Sequence, residues 1–474
     1  MPDPNREVGF TAIVLPVLFL FGMILWGLVI GPNRFGIPPF PLEVIFLSAA
    51  CFTIGELLYL GFSWEQIIES VVAKLAKGFP AILILFAIGL IIGSWMICGT
   101  IPMLVTWGIE LIRPQFIYVL AFLVPIVFSL LTGTSWGSVG TIGAVIIGIA
   151  LVIQADLGIC AGAIIGGAYF GDKMSPLSDT TNIAAIATEV DLYDHIRSMY
   201  WTTIPSAIIA LMVYGVVSFV FPVQSNPEAL IQNREVTTAI RSLFHFHWIL
   251  LLPPLVVLVG SFRRWPTLPV LLSSVILSVV LALIVQPFSL SEIVATLNRG
   301  FQLSFADEDV VDLPILSTLF ERGGLYALNE AIIFTLMVFV FVGALDLLDA
   351  MPRLVRKLLG SVPSRKGLVL SSLFAAGITN ALTANQSATS FIVGDAFRKR
   401  YDDLGIDRAV LSRSIEDYGT MLESIVPWTA SAIFMVATLG VPFSDYWHWQ
   451  ILSLANLIVA PGIALFFLRD RTLE

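Results

Sequence analysis

GAIIGGAYFGDKMSPLSDTTNIAA, Gly162 to Ala185, starts and finishes as an apolar helix but carries Asp172, Lys173, Ser175, Pro176, Ser178, Asp179, Thr180, Thr181 and Asn182 in between. Gly171 and Pro176 interrupt helix propagation and free backbone carbonyl and amide groups. Hydrocarbon cannot satisfy such groups. A second stretch, RSIEDYGTMLESIVPW from Arg413 to Trp428, repeats the situation with Gly419 and Pro427. Together the two breaks hold seven charges, on the order of 20 kcal/mol if they faced lipid. They must line a cavity enclosed by protein.

The chain around these breaks calls for lipid as solvent. Of 474 residues, 57% are hydrophobic and only 12% charged, and the mean hydropathy is +0.91, too much apolar surface for a water-soluble core. Spans such as Phe10 to Gly31, Phe40 to Gly61 and Trp201 to Phe221 each supply about 20 apolar residues, enough to cross the hydrocarbon. Ten such spans are expected. The first reads as a retained helix, without a charged n-region and cleavage site. Cys51, Cys98 and Cys160 lie in apolar stretches without disulfide or zinc spacing and read as packing residues. His195, His245, His247 and His448 fall near span ends, where an interfacial role is the default.

An internal duplication covers most of the chain. FSWEQIIESVVAKLAKGF from Phe62 matches FSLSEIVATLNRGF from Phe288 at a shift of 226; Ala81, Gly93 and Pro102 fall on Ala331, Gly343 and Pro352 at 250. Leu131, Thr132 and Gly143 match Leu382, Thr383 and Gly394 at 251, Leu157 matches Leu404 at 247, and Tyr200 matches Tyr446 at 246. The order never scrambles. The expected fold is an all-α polytopic membrane protein of two inverted repeats, 8–221 and 247–468, joined by a linker, 222–246. Each repeat is expected to hold five transmembrane helices, a re-entrant hairpin (115–154 and 366–397) and a broken helix (157–190 and 404–440). An odd number of crossings inverts the second half, and inverted repeats with a midplane site are a signature of secondary transporters. Under this topology sixteen Lys and Arg residues fall on one side and six on the other. That places both termini in the cytoplasm. The acidic loop Ser304 to Gly324, with Asp307, Glu308, Asp309 and Asp312, breaks the repeat and reads as an external vestibule or as solvated decoration.

The candidate binding residues follow from this frame. In the first break, Asp172, Ser175, Ser178, Asp179, Thr180, Thr181 and Asn182 present many hard oxygens within one short stretch. The hairpin tips add Thr132, Gly133, Thr134 and Ser135, and Thr383, Asn385, Gln386 and Ser387, whose small size lets backbones approach. The second break adds Arg413, Glu416, Asp417, Thr420 and Glu423. Asp172, Asp179 and Asp417 are the candidate Na+ ligands, and carboxylates can alternatively carry protons. A plainer account has Ser178 or Asp179 capping the resumed helix, with Asp172 and Lys173 an internal ion pair. Tip hydroxyls can likewise satisfy helix ends.

GTSWGSVGTIGA (Gly133 to Ala144), the first break and RSIEDYGTMLESIVPW resemble the NhaC-type sodium/proton antiporter family over most of the chain. The resemblance implies a member of the ion-transporter superfamily with paired re-entrant hairpins and elevator-like motion. The second half departs from the family: Ala384-Asn385-Gln386 replaces a usual Gly-Asp-Gln, Asp395 a basic residue, Glu423-Ser424 a Ser-Pro and Thr429 an Asn. Since the family also includes carriers of malate, lactate and amino acids, these departures leave the antiported species open.

Two functions are therefore carried forward: a Na+/H+ antiporter working by alternating access, and a Na+- or H+-coupled carrier of a small organic acid or amino acid. Its partners would be the bilayer of a bacterial inner membrane and the transported ions or solute, without nucleic acid or cofactor, and a homodimer is admitted. A channel would not need two opposed half-sites. No nucleophile with a base, metal-ligand cluster or nucleotide loop suggests an enzyme.

Overall fold

A computed structural model of the chain describes residues 9–223, 227–305, 314–359 and 362–467. Among them every regular element is helical. Among the described residues eight helices are long and apolar enough to cross a membrane, or up to ten if two bent pairs each count as one span. Asp307, Glu308, Asp309 and Asp312, together with Arg6, Arg469 and Arg471 of the charge census, lie outside the described residues.

One apolar layer forms where Asn329–Asp346 packs against Trp64–Ile97 and Leu42–Tyr59. Ser63 and Ser289 open amphipathic segments with full capping boxes, as the match of FSWEQ with FSLSE suggests. The arms of the first hairpin span Pro114–Thr132 and Ser135–Val152, 19 and 18 residues. By length and composition either could cross. In the second hairpin, Arg365–Thr383 and Gln386–Asp403 are too polar to pass the same test.

The most extensive helix contact joins Ile117–Thr132 to Leu157–Met174. Small residues allow it: a Cβ on Gly167 would lie 2.1 Å from the Phe122 carbonyl oxygen. Ser129 Oγ then donates to the Ala168 carbonyl at 2.7 Å, hydroxyl glue between close backbones.

Local geometry recurs along the chain at one interval. Gly133 and Ala384 are left-handed corners, Thr134 and Asn385 N-cap the helices after them, Asp156 and Asp407 cap the next helices, and Ser178 and Thr429 those beyond the breaks. Glu189 and Gly440 then end those helices, again left-handed. Each second member stands 251 residues after the first. Matching Leu157 to Leu404 at 247 is thus one helical turn out of step with the caps.

Of the cysteines, Cys98 and Cys160 are buried and Cys51 is exposed. His195 is not interfacial: it is fully buried, with Nδ1 2.7 Å from Ser412 Oγ.

Candidate functional site

The first break opens after Met174. Ser175, Pro176 and Leu177 leave the helix, and Ser178 accepts a hydrogen bond from the Thr181 amide to start Asp179–Thr188. The freed carbonyls find nearby donors: Asn182 Nδ2 donates to Pro176 and Ser178, and Thr181 Oγ1 to Lys173, while Ser175 Oγ donates to the Leu130 carbonyl near the end of the first hairpin arm. Four of the candidate oxygen-bearing residues therefore hold the break open. The capping account is right for Ser178. The proposed Asp172–Lys173 ion pair does not form, since adjacent residues on a helix point away from each other.

Asp172 instead meets the first hairpin tip. Its Oδ2 accepts from the Ser135 amide at 3.1 Å and from Ser135 Oγ at 2.7 Å, while its Oδ1 has no hydrogen-bond partner. This carboxylate is only 4% exposed. The Ser178 hydroxyl also lies beside this carboxylate, and a buried carboxylate oxygen without a partner of ordinary geometry, on a residue that lines a cavity, is a natural ligand for a cation or a proton.

In the second half, Arg408–Ile415 widens into a π-helix, Glu416–Thr420, and the chain turns irregularly until Thr429 caps Ala430–Leu439. Such π segments often mark functional sites. Glu423 projects from this irregular stretch. Its Oε1 accepts from Asn380 Nδ2 at 3.2 Å and its Oε2 from Ser431 Oγ at 2.9 Å. The other Asn380 N–H goes to Gln386 Oε1 of the second tip at 3.0 Å, and Trp136 of the first tip donates to Ser431 Oγ at 3.2 Å. A continuous chain of hydrogen bonds thus runs from one tip to the other through Glu423.

Both tips and both breaks face one cavity of about 520 Å³. Thr132, Gly133, Thr134, Ser135, Asp172, Asp179, Thr180, Asn182, Asn385, Gln386, Ser387, Thr420 and Glu423 line it, with Lys77 and Arg264 also on its wall. Ser175, Ser178 and Thr383 stand behind the wall, Thr383 bonding the Asn385 carbonyl within the tip.

Arg413, Glu416 and Asp417 form a separate, buried cluster. Lys173 donates to Asp417 Oδ1, which also accepts from Thr202 Oγ1 at 2.8 Å and Asn456 Nδ2 at 3.3 Å. Arg413 Nε lies 3.8 Å from Asp417 Oδ2. Two neutral donors and two cations therefore surround this carboxylate, with the Lys173 ammonium its closest partner. Glu416 is fully buried, both oxygens lack a partner of ordinary geometry, and the Thr420 hydroxyl is the polar group beside it.

Sequence reasoning missed Asn380, Ser431, Thr202 and Asn456. Each is an uncharged polar residue in a helix that is apolar for much of its length. That pattern is the one available signal, because polar side chains in lipid-embedded helices usually face protein.

Comparison with known proteins finds relatives along most of the chain. Residues 167–467 match the profile of the Na+/H+ antiporter family. The chain is 38% identical over 462 residues to an uncharacterized Na(+)/H(+) antiporter of Haemophilus influenzae, covering 96% of this chain and 95% of that protein. It is 32% identical to the Na(+)/H(+) antiporter NhaC of Alkalihalophilus pseudofirmus, over 94% of this chain and 92% of that one. A malate-2H(+)/Na(+)-lactate antiporter of Bacillus subtilis is 30% identical, over 86% and 85% of the two chains.

Proposed function

Because this chain belongs to the Na+/H+ antiporter family, we propose that it exchanges Na+ for H+ through the single cavity where tips and breaks converge. It is a multi-pass membrane protein and a secondary active transporter, not an enzyme. The observation that carries the reading is Asp172, which lines the cavity, tethered to the hairpin tip by Ser135 with its second oxygen buried and without a partner of ordinary geometry.

A carboxylate in that state binds Na+ or a proton, not both. One occupant displaces the other, and shared occupancy couples the two fluxes. Asp179, Thr180 and the tip oxygens around Thr134, Asn385 and Ser387 complete the ligand set. Asp417 acts in this reading as the counter-ion of Lys173, joining the two broken helices.

The recurrence of corners and caps at 251 residues supports two repeats related by duplication. The layer built on Trp64–Ile97, Leu42–Tyr59 and Asn329–Asp346 supports a scaffold against which the hairpins and broken helices slide, elevator fashion. Lys77 and Arg264 belong to the Lys- and Arg-rich side of the chain, which the positive-inside rule assigns to the cytoplasm. A cavity walled by them is inward-facing, with both termini on the same side of a bacterial inner membrane.

Everted vesicles with a pH-gradient dye test the reading. Na+ or Li+ should dequench the dye between about pH 6.5 and 9, and Asp172→Asn should abolish the response; a silent wild-type protein would refute the assignment. One observation favours a second cargo: about 520 Å³ is far more room than Na+ needs and lies in the range of small-molecule sites. Small acids such as the malate and lactate in the name of the Bacillus subtilis relative fit within that volume. Thermal stabilisation by an organic acid, without any by Na+ alone, would move the assignment to a coupled solute carrier.

A further inference from the structure

Asp172 and Glu423 stand 251 residues apart, the same interval that relates the corners and caps. Ser135 and Gln386, the tip residues after each N-cap, stand in the same relation. Each break therefore delivers one carboxylate toward one tip: Asp172 directly to Ser135, Glu423 to Gln386 through the Asn380 amide. Both line the same cavity. They share no hydrogen-bond donor, so each has its own supports and its own capacity for charge. Thr420 lines the same cavity, its hydroxyl beside the buried Glu416.

The geometry points to two carrier carboxylates per cavity, with Glu423 as a second proton-carrying site and a turnover of two protons for each Na+. This rests on the Na+/H+ reading and deepens it. In the outbound state one Na+ neutralises one of two ionised carboxylates, leaving the site with a single negative charge. In the inbound state each carboxylate carries a proton and the site is neutral. One positive charge therefore crosses inward per cycle, so exchange responds to membrane potential. Asp417 adds nothing to this count, because Lys173 compensates it in both states, and Asp179, exposed at the cavity wall, keeps its charge in both and cancels from the difference.

Purified protein in liposomes, with the potential clamped by valinomycin and K+, gives the coupling ratio from the Na+ gradient that just stops proton flux against a set pH gradient. Wild type is expected to balance at two protons per Na+. Glu423→Gln is expected to balance at one, to keep Na+ transport and to lose its voltage dependence; Glu423→Ser, which also removes the carboxyl, gives the same reading if the glutamine variant does not fold. An equal ratio in wild type and both variants overturns the proposal, as does a wild-type ratio of one. A wild-type protein that moves no protons in response to Na+ refutes instead the cargo on which both readings rest.

Discussion

Replacing Lys173 with Met would strip the buried Asp417 of its closest partner. Asp417 is 1% exposed, and after the change it would keep Thr202 at 2.8 Å, Asn456 at 3.3 Å and Arg413 at 3.8 Å. Breaking a buried pair by removing one member costs about 3–5 kcal/mol, because the other charge remains uncompensated. The surviving donors and the nearby guanidinium place this case at the low end, about 3 kcal/mol. Asp417→Asn alone leaves Lys173 buried and unpaired and should cost a similar amount. The double variant leaves no stranded charge and should be markedly more stable than the sum of the singles. Unfolding in detergent, followed for all four proteins of the cycle, gives the coupling energy. A loss under about 1 kcal/mol for Lys173→Met, with additive effects in the double variant, would refute the idea that this pair clamps the two broken helices together.

Ser178→Ala should cost about 1 kcal/mol of stability through loss of the helix cap while leaving Na+ affinity intact, which separates capping from ligation; thermal unfolding and Na+ titration of transport read the two effects. Gly167→Ala forces a Cβ to 2.1 Å from the Phe122 carbonyl oxygen and should cost about 1–3 kcal/mol; Gly22→Ala, with nothing within 4 Å, is the matched control in the same melt. At the exposed end of the second hairpin, the Arg408 guanidinium bonds both oxygens of Asp402 and holds its carboxyl below the ordinary aspartate range. The stability this contributes is present above the ordinary aspartate value and is lost as pH falls through the lower, folded one. Arg408→Gln should therefore be the less stable protein near neutrality and converge on wild type in strong acid, as unfolding curves across pH would show.

The breaks were legible because Gly171 to Asn182 and Arg413 to Trp428 put polar and helix-breaking residues where lipid permits neither. The tips were legible for the same reason, and the meeting of Asp172 with the first tip follows once hairpin and broken helix are expected side by side. The division of labour within each polar run was not. Ser178, Thr181 and Asn182 look like ligands in a linear list, yet the backbone groups freed at Pro176 claim them first. Partners far along the chain were also hidden. Lys173 turns to Asp417, 244 residues away, and no local pattern announces it. Asn380, at the centre of the link between the tips, is one amide in the run AAGITNALT and gives no periodicity to read.

The recurring corners invite an engineering reading. Gly133 with Ala384, Thr134 with Asn385 and Ser178 with Thr429 keep the same bends with different side chains. Shape and cargo chemistry have been allowed to drift apart: the hinges answer to backbone rules, the cargo to the residues set between them. Grafting Thr134-Ser135-Trp136 onto Asn385-Gln386-Ser387, or the reverse, would then rewrite what the carrier recognises while leaving its moving parts alone.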